Sequence, residues 1–228
     1  MDASRKTVYN HDNLTYLYQF REDKCMPTIT SVEEKRGIME LSCDGCVFAR
    51  IRKVHYMKNP LEVGEDIEVD EYLDRIAAVQ FPDAYEAALT CLDFSARTAR
   101  EISSSLKRKG FVTPVIEAVV EKLSGSHLID DRRYAERIAE CQSKKAVGVY
   151  AVKRKLRAKG ISEEDVDAAM EAFDEDQQRD AALETARKLF RKYESLPARE
   201  ARGKLSQALA RRGFSWDAIE SAVESLID

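Results

Sequence analysis

Glycine and proline are scarce, nine and five in 228 residues. That excludes a collagen-like or low-complexity chain. No run of about 18 apolar residues occurs, so no membrane-spanning helix is expected. The opening stretch MDASRKTVYNHDNLTYLYQF has no apolar run ahead of a small-residue cleavage site, so no secretory signal is expected. The three histidines, His11, His55 and His127, stand far apart, and no Ser-His-Asp or Cys-His arrangement follows from their spacing. Neither a G-x-x-x-x-G-K-[ST] loop nor a G-x-G-x-x-G is present, so no nucleotide hydrolysis is expected and an enzyme is the least supported class. The five cysteines (Cys25, Cys43, Cys46, Cys91, Cys141) are odd in number and scattered, which reads as reduced thiols in a cytoplasm. Cys43 and Cys46 form a C-x-x-C, but Asp44-Gly45 between them favours a hairpin turn. A redox pair sits instead at a helix start, and no second cysteine pair is available for zinc.

What the chain has is charge and helical pattern. Charged residues make up 34% and hydrophobic residues 44%, which points to a mostly helical protein with a sizeable core. The net charge of −4 hides an uneven distribution. Residues 1–92 carry 11 basic and 17 acidic residues, 93–160 carry 16 and 8, and 161–228 carry 10 and 16. A basic middle between acidic ends marks a candidate polyanion-binding surface.

Residues 1–27 read as a loose tail. Thr28–Glu34, Ile38–Cys43 and Cys46–Ile51 read as three short antiparallel strands, turning at Lys35-Arg36-Gly37 and Asp44-Gly45. So small a sheet needs a packing partner, and a helix over Asp70–Phe81, with Leu73, Ile76, Ala77 and Val79, is the candidate.

From Pro82 the pattern is helical and repeats. LKRKGF (106–111), LRAKGI (156–161) and LARRGF (209–214) place Gly110, Gly160 and Gly213 at a period of about fifty residues. Seven apolar positions, from eight before each glycine to thirteen after it, recur in all three units. They run from Ile102 to Leu123, from Val152 to Phe173 and from Leu205 to Leu226. A basic last turn, a glycine able to take positive φ and an apolar residue after it describe a helix end closed by a left-handed cap. Thr113-Pro114, Ser162 and Ser215 then start a second helix. Ala84–Leu92, Asp131–Lys144 and Arg179–Tyr193 supply a further helix ahead of each pair. The expected fold is therefore mostly α: three tandem three-helix repeats in an elongated curved array, preceded by a small antiparallel three-stranded β region. The expected divisions are 1–27, 28–81, 82–126, 127–176 and 177–228. Gly160→Val is expected to cost roughly 1–2 kcal/mol.

The candidate binding residues are the basic cluster of Lys107, Arg108, Lys109, Arg132, Arg133, Lys144, Lys145, Lys153, Arg154, Lys155, Arg157 and Lys159. Lys153, Arg154 and Arg157 share one helix flank. Such residues can meet nucleic-acid phosphates in a salt-sensitive, sequence-independent way. Asp130-Asp131 reads as a helix cap, since a hard-cation site needs several more oxygens. No metal and no cofactor are expected. Trp216, next to the Ser215 cap, is expected to pack rather than to stack on a base.

Three stretches carry a resemblance. Arg97-Thr98-Ala99-Arg100-Glu101-Ile102 leading into LKRKGF resembles the first repeat of the RecX family of bacterial regulators. His127-Leu128-Ile129-Asp130-Asp131-Arg132-Arg133-Tyr134-Ala135 resembles its G-L-[IL]-D-D-x-x-[FY]-A signature, with His127 where that family has glycine. Gly148-Val149-Tyr150-Ala151-Val152 leading into LRAKGI resembles its second repeat. The third repeat is weaker, with Arg202 where Ala99 and Val149 stand in the others. The resemblance spans about residues 28–228. It implies a non-enzymatic modulator of the RecA recombinase, in the sense of an inhibitor, lying along the groove of the RecA–DNA filament and limiting its growth or stability. From the residues themselves, weak, sequence-independent contact with single- or double-stranded DNA, a monomer, no membrane and a cytoplasmic location are expected. Charge reversal of Arg154 and Arg157 is then expected to weaken binding without unfolding. The alternative reading is a stand-alone DNA-binding protein with helix-turn-helix-like repeats.

Overall fold

The computed structural model describes residues 26–143 and 145–227. Two compact units divide the chain. Of the described residues, one takes 26–89 together with Ser105–Val119, and the other takes Thr90–Ser104 together with 120–143 and 145–227.

In the first unit, β1 (Ile29–Lys35), β2 (Ile38–Cys43) and β3 (Cys46–Arg52) pair antiparallel in the order β1-β2-β3. Both hairpins turn on two residues with positive φ, Arg36-Gly37 and Asp44-Gly45, which matches the right-handed strand twist. Cys43 and Cys46 are therefore partners across the second turn. Among the described cysteines no disulfide forms, and burial raises the Cys43 pKa. Ile29, Met39, Leu41, Ala49 and Ile51 are buried.

A short helix α1 (Lys53–Tyr56), which the sequence pattern did not announce, follows β3 and buries His55 and Tyr56. Next comes α2 (Val69–Phe94). The sequence suggested two helices, Asp70–Phe81 and Ala84–Leu92, but they are one, with Pro82 inside it. The reason is the buried stripe Tyr72, Ile76, Gln80, Ala84 and Ala88, which advances four residues at a time straight past the proline. Pro82 itself lies on the exposed side, where a lost helix bond falls toward water. Tyr72, not Leu73, is the fully buried member, and its ring meets Phe48 of β3 edge-on at 6.3 Å. Gln80 fastens the turn at Gly110: its Nε2 donates to the Gly110 carbonyl (3.0 Å), and its Oε1 accepts from Val112 N–H (2.8 Å). His55 Nε2 lies 2.9 Å from Asp83 Oδ2, and its ring lies against Phe111.

The remaining helices are α3 (Ala99–Arg108), α4 (Thr113–Gly125), α5 (Asp131–Ser143), α6 (Val149–Ala158), α7 (Glu163–Met170), α8 (Glu175–Phe190), α9 (Ala198–Arg211) and α10 (Trp216–Ile227). With the C-terminal part of α2 they make three three-helix repeats. Of the recurring apolar positions, only Val120, Met170, Phe173 and Leu226 stop short of full burial, and none is exposed. The second repeat packs Ala135, Ala139, Val152, Leu156, Ile161, Val166 and Ala169 together. The third packs Ala182, Ala186, Leu205, Leu209, Phe214, Ile219 and Val223 among others.

The glycine ends close alike. Gly110, Gly160 and Gly213 have φ of 80°, 83° and 82°. The amides of Phe111, Ile161 and Phe214 donate back to the carbonyls of Leu106, Leu156 and Leu209. That is the six-to-one bond of a Schellman cap, with the following apolar residue folded onto the helix. His127 takes the same left-handed conformation at the end of α4, φ 56°, and Leu128 N–H reaches back to the Leu123 carbonyl. Histidine is among the few non-glycine residues that visit this region.

Candidate functional site

The expected basic cluster resolves into groups with different surroundings. In the first unit, Lys107, Arg108 and Lys109 end α3 and its cap, are exposed, and have no carboxylate partner among the described residues. Lys144 lies outside the described residues. The other members belong to the second unit.

Four of these are already neutralised. Arg132 pairs with Glu136 one turn along α5 (3.1 Å). Lys153 Nζ meets Asp167 of α7 at 2.8 Å. Arg157 grips Glu163 with two parallel bonds, Nε to Oε1 and Nη2 to Oε2, each 2.7 Å. These bonds hold the Glu163 and Asp167 carboxyls below their ordinary pKa. Lys159 donates to Glu101 of the preceding repeat, and that bond raises the lysine's pKa. Arg133, Lys145, Arg154 and Lys155 remain exposed, with no carboxylate partner among the described residues. Helix α6 therefore has two faces: Lys153 and Arg157 turn toward the acids of α7, while Arg154 and Lys155 keep their charge open.

Asp130 and Asp131 act as caps, in different ways. Asp130 Oδ1 accepts from Arg133 N–H at 2.8 Å and caps its own helix α5. Asp131 Oδ1 accepts from Ala99 N–H at 2.9 Å and so caps α3 of the preceding repeat. Burial raises the Asp131 pKa most, against the lowering effect of that bond.

The repeat junctions rest on residues whose part in joining repeats the sequence pattern did not reveal. Thr98 and Glu101 form a reciprocal capping box: Thr98 Oγ1 accepts from Glu101 N–H and Glu101 Oε2 from Thr98 N–H. Thr98 Oγ1 also donates to the Lys159 carbonyl at 2.8 Å. At the next junction Gly148 N–H donates to the Arg212 carbonyl (3.2 Å), and Gln178 Oε1 accepts from Val149 N–H (3.1 Å). In both cases the start of a repeat's middle helix is received by the following repeat, through its first helix and its glycine turn. The T-x-x-E at 98–101 was a readable signal for the first of these.

Trp216, expected to pack, is 66% exposed at the start of α10. Ser215 alone supplies the cap, its Oγ accepting from Ala218 N–H at 3.3 Å. Among the described residues no helix is long and apolar enough to cross a membrane.

Comparison with known proteins gives three matches to models of one family. They are the first three-helix domain of RecX over residues 84–123, the second over 130–170 and the third over 175–223. The regulatory protein RecX of Streptococcus mutans is 31% identical over 204 residues, covering 87% of this chain and 76% of that protein. The regulatory protein RecX of Limosilactobacillus reuteri is 28% identical over 205 residues, covering 89% and 78%. A crystal structure of regulatory protein RecX superposes with a TM-score of 0.61 at 27% identity, covering 87% of this chain and all of that one. The crystal structure of RecX from Lactobacillus salivarius gives 0.59 at 27% identity, covering 65% and 97%.

Proposed function

This chain belongs to the RecX family, and from that premise we propose that it is a non-enzymatic modulator of the RecA recombinase that limits growth or stability of the RecA–DNA filament. The supporting observation is the sorting of charge on α6 and its surroundings. Arg133, Lys145, Arg154 and Lys155 have no carboxylate partner among the described residues, in a chain whose net charge is negative. Open cations of this kind suit DNA phosphates or an acidic protein groove. Tandem repeats spread such contacts along the chain, so that one molecule can touch more than one filament subunit and oppose subunit addition or exchange. The reading carries with it a monomer working in the cytoplasm, with DNA contact that ignores sequence.

The test is the ATPase of RecA on single-stranded DNA as this protein is titrated in, alongside its binding to the same DNA without RecA. Loss of ATPase at amounts well below those that coat bare DNA supports filament regulation. Unchanged ATPase together with tight, sequence-selective DNA binding favours the helix-turn-helix alternative. Charge reversal at Arg154 and Lys155 should weaken the effect and leave the melting temperature in place. Arg157 is a poorer choice than the sequence suggested, because its reversal also breaks the pair with Glu163.

A further inference from the structure

Two open aromatic rings stand at one seam of the second unit. Trp216 is 66% exposed and Tyr150 53%. Neither ring has an aromatic or cationic partner among the described residues. Their backbones are tied to the same turn: Tyr150 N–H donates to the Gly213 carbonyl at 2.9 Å, and Trp216 follows Gly213 by three residues. The seam has no slack. A Cβ on Gly148 would lie 2.0 Å from the Gly213 carbonyl carbon, and a Cβ on Gly213 would lie 2.2 Å from the Ala151 nitrogen. The fold does not demand either ring. The positions matching Trp216 in the other repeats hold Thr113 and Glu163, and those matching Tyr150 hold Arg100 and Gly203.

The charge around the seam is directional. Arg154, one turn along α6 from Tyr150, and Lys155 beside it are exposed and unneutralised among the described residues. Beyond Trp216, α10 is acidic: Asp217, Glu220 and Glu224 line one hollow, whose one cation, Arg179, is paired with Asp176. A polyanion meeting this seam is steered along α6 and away from α10.

We propose that the seam is a base-stacking subsite for single-stranded nucleic acid, with Tyr150 and Trp216 taking base faces and Arg154 and Lys155 the flanking phosphates. Open π faces beside unneutralised cations match a base beside its phosphate, and such stacking tolerates any sequence. A duplex keeps its base faces covered, so the single strand is the ligand. The inference rests on the reading that this chain meets filament DNA, and it names the contact.

The chain has one tryptophan, so indole emission from the full-length protein reports Trp216 alone. Oligothymidylate should quench it, and an abasic oligomer of equal phosphate content should not. Tyr150→Leu should keep the melting temperature and weaken oligothymidylate binding roughly fivefold or more. Trp216→Leu should do the same, read by anisotropy of a labelled oligomer. Equal quenching by the abasic strand, or unchanged affinity in both variants, overturns the proposal. Quenching by RecA alone, with none by oligothymidylate, reassigns the seam to a protein contact and overturns it too. An oligouridylate arm tells RNA from DNA, and a preference for RNA breaks the link to filament DNA. RecA ATPase on the same samples separates the two readings. An unaffected ATPase with specific quenching sinks the regulator and keeps the subsite; inhibition without specific quenching does the reverse.

Discussion

The carboxylate of Asp131 caps a helix that is not its own: its Oδ1 accepts from Ala99 N–H at 2.9 Å, across 32 residues of chain. The bond joins the first helix of one repeat to the middle helix of the repeat before it. Asp131→Ala leaves the start of α3 with an orphaned donor and should cost about 1 kcal/mol, as loss of a side-chain cap does. In a chain of this size that is a fall in melting temperature of roughly 2–4 °C. Asp131→Asn should lose much less. An amide oxygen accepts the same bond, as Gln178 does from Val149 at the next junction, and it escapes the burial cost that raises the Asp131 pKa. Equal losses for Ala and Asn would show that charge, and not the accepted bond, holds the junction.

The helix-capping glycines Gly160 and Gly213, each packed against a neighbouring repeat, should differ in what they tolerate. Both Gly160 and Gly213 have positive φ, so alanine at either is strained by about 1 kcal/mol. The added methyl then meets different neighbours. At Gly160 it would press on the Arg100 side chain, with Cδ at 2.3 Å, which can swing away, and Cβ at 2.6 Å, which yields only with a small backbone shift. At Gly213 it would meet the Ala151 backbone nitrogen at 2.2 Å, and backbone inside a helix cannot swing away. Gly213→Ala should therefore lower the melting temperature more than Gly160→Ala. Indistinguishable losses would mean that the second seam relaxes.

The contrast between these glycines shows what the sequence made legible. Gly110, Gly160 and Gly213 were readable because each closes a helix by local bonds to residues a few positions back, so the signal repeats within a short window. The hairpin turn at Asp44-Gly45 was legible for the same reason. Pro82 misled because a proline's local preference to end a helix was overridden by the buried stripe from Tyr72 to Ala88. The binding cluster was only half legible. A lysine count cannot tell Lys153, paired with Asp167, from Lys155, which is open, since that depends on which flank of α6 faces α7. Asp131 was hidden by its neighbour, because two adjacent aspartates at a helix start both read as caps of that helix and only Asp130 is one.

The Glu101–Lys159 pair makes the first junction sensitive to pH at both ends. Burial pushes the Glu101 carboxyl up, but the bonds from Lys159 and Thr98 N–H, with the charges of Lys159 and Arg97, leave it below its ordinary value of 4.5. A folded value below the unfolded one gives stability that is complete above 4.5 and is lost as pH falls through the folded value. Lys159 runs the other way. Its bond to Glu101 outweighs burial and lifts it above 10.5, so its contribution is complete below that value and is lost as pH rises through the folded one. Glu101→Gln should flatten both limbs of a plot of melting temperature against pH. Parallel curves for the two proteins would place the acid-sensitive groups elsewhere.

The last prediction uses the acids that mask α6. Glu163 occupies Arg157 and Asp167 occupies Lys153, so two cations of the basic stretch are withheld from any polyanion. Glu163→Gln and Asp167→Asn should release them with little change in melting temperature, because exposed ion pairs contribute little to stability. Glu164 and Asp165 still supply negative charge at the start of α7. Each freed cation that reaches a phosphate should steepen the dependence of log affinity on log salt by about 0.7 for a single strand and 0.9 for a duplex. The measurement is a salt series of oligonucleotide binding for the wild type, each variant and the double variant. A steeper slope places the flank of α6 that bears Lys153 and Arg157 at the nucleic acid. An unchanged slope keeps the flank of α6 that bears Lys153 and Arg157 off the nucleic acid.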